Sequence, residues 1–153
     1  MCAAMSTSQN SRRQLRLVDL ENLAGSPVVS LPVAHTVADR LADCAPLGPT
    51  DLQAVASAHI SGFAAKSAFP GAHVRWRSGT NGADLALLDY AGEIPLERFG
   101  SIVIASADKI FMDLALKAKA AGLSVTIVAD SNRISRSFRA LADTFVPFAA
   151  VAA

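Results

Sequence analysis

Short apolar runs separated by helix-length stretches constrain this chain more than any other feature of its sequence. Leu15–Val18 is apolar except for Arg16 and runs into Asp19-Leu-Glu-Asn22, so it reads as a first strand ending in polar residues. Leu52–Ala58 admits a helix or a buried strand by composition alone. The strand is preferred, because Ser61–Ala68 then supplies the helix of a βαβ unit ahead of the Pro70-Gly71 break. Val74–Arg77 alternates by side as a third strand, Ser101–Ala105 is an uninterrupted buried fourth, and Leu123–Ala129 is a fifth. Thr144–Phe148 is expected to add a short edge strand.

The segments between them carry helical spacing. His35–Cys44 places Val37, Leu41 and Cys44 together, and Asn81–Tyr90 directs Leu85, Leu88 and Ala86 inward. Phe111–Ala121 is closed by Gly122 at a C-cap position, and Ser135–Ala142 makes a last helix. Leu23–Pro32, with Gly25, Pro27 and Pro32, is expected to be a loop, and Pro46-Leu-Gly-Pro49 a breaker. Strands joined this way imply an α/β fold, with a parallel sheet covered by helices on both faces.

At 153 residues the chain is one domain's worth, expected over 14–149 with tails at 1–13 and 150–153. Hydrophobic residues make up 52% and charged residues 18%, too apolar a mixture for a disordered chain. A net charge of +1 excludes a uniformly basic nucleic-acid coat, so any charge-driven recognition must come from local clusters. Cys2 and Cys44 form no disulfide framework and suit a reducing compartment. No CxxC or HExxH appears, which argues against zinc. No secretory signal and no apolar run near the roughly 20 residues of a membrane helix is present. The expectation is a soluble, cytoplasmic domain with no membrane partner; self-association into a homo-oligomer is left open.

In open parallel sheets, ligands sit beyond the carboxyl ends of the strands where strand order reverses. With the order 3-2-1-4-5, Asp19 after the first strand and Asp108 after the fourth face one another across that crevice. The crossover from the third strand to the fourth carries Gly82-Ala-Asp84-Leu-Ala-Leu-Leu-Asp89. Asp84 lies at the helix start, and Asp89 about 140° further round the helix. Taken singly, these acids are ordinary solvated or helix-terminal residues. Crowded together they would raise each other's pKa values, and Mg²⁺ or Mn²⁺ would resolve the conflict through all-oxygen ligands. Such a centre supports phosphodiester cleavage.

In order, Asp19-Leu-Glu-Asn22, Gly82-Ala-Asp84-Leu-Ala-Leu-Leu-Asp89 and Ser106-Ala-Asp108 resemble the motifs of the NYN domain family of PIN-like nucleases. The resemblance spans roughly residues 15–148. It implies a Rossmann-like, PIN-type three-layer sandwich with a central, mostly parallel sheet, and ribonuclease activity on RNA dependent on Mg²⁺ or Mn²⁺. Asp19, Asp84 and Asp108 match the family's metal-binding acids, and Asn22 and Ser106 its supporting polar positions. Many members carry a second acid two residues after the one at Asp108. Here Ile110 stands there, leaving Asp89 as the candidate fourth ligand, with Asp113 as another compensating acid.

Glu21 reads as a solvated loop acid and Trp76 as a core residue, while His35 and His73 look incidental. His59 ends the second strand, exposed or facing the crevice as a substrate contact. Arg133, Arg136 and Arg139 recur every third residue and would share one helix face, either solvated or, with Lys109, Arg75 and Arg77, forming a basic rim for an RNA backbone. Aromatics at 6% leave few stacking platforms for bases. Two other readings compete. One is an RNA-binding or interaction module that does not cut, favoured by Ile110. The other is an aspartate-nucleophile phosphatase, with Asp19 as nucleophile and Asp108 with Asp113 as its late acid pair. Dinucleotide binding and serine hydrolysis lack G-x-G-x-x-G and G-x-S-x-G.

Overall fold

A computed structural model describes residues 13–151. In chain order the elements are β1 (Gln14–Asp19), α1 (Leu20–Ala24), α2 (Leu31–Cys44), β2 (Leu52–Ser57), α3 (Gly62–Ala68), β3 (His73–Trp76) and α4 (Gly82–Gly92). They continue with β4 (Ser101–Ala105), α5 (Met112–Ala120), β5 (Ser124–Ala129), α6 (Arg136–Arg139) and β6 (Thr144–Pro147). The strands form one sheet in the order β3-β2-β1-β4-β5-β6. Every pairing is parallel, so the expected order is extended by one edge strand and the sheet is wholly rather than mostly parallel.

The alternation of side chains along each strand divides the core in two. Leu15, Leu17, Ala54, Ala56, Ile102, Ile104, Val125 and Ile127 face α4, α5 and α6. Val18, Val55, Val103 and Val128 face α1, α2 and α3. Each fully buried Leu, Ile or Phe contributes about 1.5–3 kcal/mol by leaving water. The result is a Rossmann-like three-layer sandwich. The chain begins at the centre of the sheet, winds outward to β3 under one helical layer, and returns over β2 and β1 through α4. Strand order therefore reverses between β1 and β4.

Several local expectations are corrected. Pro32 lies in the first turn of α2 and not in a loop, because the leading N–H groups of a helix need no partner. Ser30 caps that turn, accepting from the Val33 N–H at 3.4 Å. Leu20–Ala24, read as strand end and loop, is a short helix capped by Asp19 and closed by Gly25 at φ +78°. On α4 the buried side chains are Leu87, Tyr90 and Ala91, whereas Leu88 is only partly buried. Trp76 is no core residue: it is 47% exposed, its indole lying on Gly62, where a Cβ would come within 2.6 Å of Nε1.

Residues 1–12 and 152–153, most of the two expected tails, lie outside the described residues. Arg13 is tied to the domain, donating from Nε to the Thr50 carbonyl at 2.7 Å and stacking over Phe99. Val151 packs against the core at the other terminus. Among the described residues, no helix is long and apolar enough to cross a membrane.

Candidate functional site

The carboxyl ends of β1 and β4 are held together by hydrogen bonds from the residues that follow them. Asp19 leaves β1 as the N-cap of α1 and accepts from the Asn22 N–H at 3.4 Å through Oδ1. Its Oδ2 accepts from Ser106 Oγ at 3.1 Å. Ser106 Oγ in turn accepts from the Asp108 N–H at 3.1 Å, and Asn22 Oδ1 accepts from the Ala107 N–H at 3.0 Å. Asp108 caps the turn after β4, accepting from the Ile110 N–H at 3.0 Å. Asn22 and Ser106 thus fix the two strand ends relative to each other.

Asp84 arrives from the opposite helical layer, three residues after the start of α4's backbone cap at Asn81. That start is sharply turned. Asn81 adopts φ +56°, and a Cβ on Gly82 would come within 2.3 Å of the Arg77 carbonyl oxygen, so only glycine fits. The turn delivers the Asp84 carboxyl to those of Asp19 and Asp108, close enough for both to act on its ionisation. Asp19 is 4% exposed and Asp84 6%. Burial first, and then the neighbouring carboxyls, push Asp84 from an ordinary 3.8 up to about 10. Burial likewise raises Asp19, against the lowering effect of Asp84, Ser106 and Asn22. The three expected acids therefore converge, with Asp84 between Asp19 and Asp108 in its electrostatic influence.

Asp19 and Asp84 line a cleft of about 400 Å³ together with Glu21, Asn22, Asn81, Arg77 and Arg133. Beside it, Asp108, Lys109, Arg133 and Ser135 line a second hollow of about 280 Å³. Arg133 spans the two, donating from Nη1 to the Asn22 carbonyl at 2.9 Å. Glu21, read as a solvated loop acid, instead belongs to the cleft wall. Its Oε1 accepts from the Ala58 N–H at 2.7 Å, bridging β1 to β2, while Oε2 is buried without a hydrogen-bond partner. Burial raises this carboxyl to about 7. The adjacency of Asp19 and Glu21 was the sequence signal for it.

Four expected members are placed elsewhere. Asp89 pairs with Arg77 at 3.0 Å on the surface, its side chain 73% exposed, because five residues on from Asp84 the helix has turned away. His59 turns its ring to Ser78, Nδ1 lying 2.8 Å from Oγ, and does not line the cleft. The three arginines share no helix face. The helix is only Arg136–Arg139, Arg133 lies in the turn before it, and Arg139 stacks over Phe145 at 4.2 Å. Arg136 does not line the cleft either. Of the triplet, Arg133 alone lines the cleft, and Lys109 joins it in the hollow beside Asp108. Asp113 and Ile110 line a groove between α4 and α5, so neither side chain joins the acid cluster.

Among the described residues, no group of three His, Cys, Asp or Glu side chains is set to hold a metal ion as it stands. The donor chemistry nonetheless fits a hard divalent cation: carboxyl oxygens from three elements, two of them buried, with burial and the neighbouring carboxyls raising Asp84 where positive charge is lacking.

Fold and cleft define a doubly wound α/β protein with an acidic site at its topological switch point. No family model matches the chain, and no curated protein matches it. The fold is similar to the crystal structure of a protein of unknown function from Vibrio parahaemolyticus RIMD 2210633. The TM-score is 0.63 at 12% sequence identity, covering 90% of this chain and 94% of that one.

Proposed function

We propose that the acidic cleft is the active site of a metal-dependent endoribonuclease of the NYN type. The observation that carries this reading is the meeting of Asp19, Asp84 and Asp108 from three separate elements, the first two buried and Asp108 half-buried beside them. Carboxyls so placed repel once ionised, and a site that shares a proton among them is one that exchanges it for a hard cation. Asp19, Asp84 and Asp108 would hold Mg²⁺ or Mn²⁺, which when bound acidifies water and stabilises charge on a phosphoryl oxygen. Ser106 and Asn22 orient Asp19 and the Asp108 loop through the bonds described above. Arg133 and Lys109 offer cations to the phosphates on either side of a scissile bond. The order of the Asp19, Asp84 and Asp108 motifs supports the same reading.

The test is Mn²⁺-dependent cleavage of a labelled single-stranded RNA by purified protein. Asp19→Asn is expected to lower turnover on the order of 100-fold or more with an unchanged far-ultraviolet spectrum, because a neutral amide is a poor ligand for a hard cation. Undiminished turnover in the variant would reject the mechanism.

A second reading, an RNA-binding module that does not cut, is favoured by Ile110, which stands where the resembled family carries a second acid and lines the groove between α4 and α5. Salt-sensitive RNA binding by the wild type, with no cleavage under Mg²⁺ or Mn²⁺, would select it.

A further inference from the structure

On the same central strand as Asp19 but nearer its amino-terminal end, β1 buries a cation. Arg16 is 5% exposed and points into the layer formed by α2 and α3. Its Nε donates to Gln53 Oε1 at 2.7 Å, and one Nη donates to the Ala45 carbonyl. Both acceptors are neutral. Among the described residues the other Nη has no hydrogen-bond partner, yet it is not sealed away as an orphaned buried atom. Arg16 lines a cavity of about 360 Å³.

Among the described residues no carboxylate pairs directly with this charge, although Asp51 acts on it from nearby. Among the described residues the ion pairs are Arg77–Asp89 and Lys119–Asp143. Asp51, whose charge acts on Arg16 from nearby, spends its oxygens on the Gln14 N–H at 2.8 Å and the Gly48 N–H at 2.7 Å. Burial lowers Arg16 to about 10, so it stays charged at neutral pH. A buried guanidinium with neutral partners and one free donor face is a half-built salt bridge, and an entering anion completes it.

The walls choose the anion. Ala38, Ala42, Leu47, Ala68, Phe69 and Pro70 line the cavity with Arg16, and Gln53 is committed to Nε. A dianion would strand its second charge against these apolar surfaces. An uncharged body suits them, because it buries hydrocarbon while one carboxylate meets Arg16. We infer that this cavity is a binding site for a small monocarboxylate with a compact apolar body, separate from the acidic cleft.

The experiment uses the full chain and three probes: benzoate, its neutral isostere benzamide, and inorganic phosphate. Thermal unfolding and calorimetric titration are read together. Benzoate is expected to raise the unfolding midpoint in a saturable manner, with benzamide and phosphate giving little. Gln53→Glu supplies an internal carboxylate to Nε. It should weaken benzoate binding by at least about tenfold while raising the ligand-free midpoint. Ala42→Phe, at an exposed position lining the cavity, should block it and abolish the benzoate response in a folded protein. Asp19→Asn should leave the response intact, separating this site from the cleft. The inference is overturned if benzoate does not stabilise the wild type, or if benzamide matches it. It is equally overturned if the response survives in both Gln53→Glu and Ala42→Phe, and a phosphate response exceeding that of benzoate would replace the carboxylate with a phosphate ligand.

Discussion

Ser106 Oγ donates to Asp19 Oδ2 at 3.1 Å, joining the ends of two strands that are neighbours in the sheet but 87 residues apart in the chain. The bond sits at the point where strand order reverses, and it presents a buried carboxylate to the cleft with its second oxygen already satisfied.

Removing that hydroxyl tests how far the cleft is pre-organised. Ser106→Ala strips a donor from Asp19 and an acceptor from the Asp108 N–H at once. A loss of about 1–3 kcal/mol in unfolding free energy is expected, measured by urea titration. Mn²⁺-dependent cleavage should fall with it, and Ser106→Thr should restore most of both. A variant as stable and active as the wild type would make the bond incidental.

The proton on Asp84 has a consequence for stability against pH. In the metal-free folded protein Asp84 holds its proton up to about pH 10, whereas in the unfolded chain an aspartate ionises near 3.8. Between those limits the folded state binds more protons than the unfolded state, so stability is full below the lower limit and falls as pH rises. The urea midpoint should decline between about pH 5 and about pH 9, and Asp84→Asn should flatten that decline. Added Mn²⁺ should raise the wild-type midpoint at alkaline pH more than that of the variant, since it binds only the folded protein.

Salt dependence of RNA binding separates Arg133 from its neighbours. Arg133 lines the cleft, whereas Arg139 is stacked on Phe145. Arg133→Gln should reduce the slope of log affinity on log salt by about 0.7, the worth of one single-strand phosphate contact. Arg139→Gln should leave the slope alone and loosen the β6 edge. If the two variants change the slope equally, RNA takes another path.

Ile110→Asp is expected to give no gain of cleavage. The side chain lines the groove between α4 and α5 and packs on the core there, so an acid at this position faces apolar surface. A loss of about 1–3 kcal/mol is expected instead. Enhanced cleavage would mean that the turn after Asp108 rearranges to bring residue 110 to the acids.

What the sequence by itself determined was the alternation of elements, and with it the ends of the strands at which acids stand. Uninterrupted apolar runs such as Ser101–Ala105 can be satisfied only inside a covered sheet, and Gly122 at φ +92° ends α5 where the sequence placed the stop. The order of strands followed, and Asp19 and Asp108 with it. The tertiary structure alone decided where side chains point once the regular repeat fails. Arg133, Arg136 and Arg139 look equivalent at every third residue, but a helix lasting only Arg136–Arg139 scatters them. Trp76 alternates like a core residue, yet at the sheet edge no helix covers its ring apart from Gly62. Glu21 became a wall of the cleft because the end of β2 offered it the Ala58 N–H. Periodicity reports a chain's own backbone, whereas these placements depend on which neighbouring backbone is present, and that is set only when the layers pack.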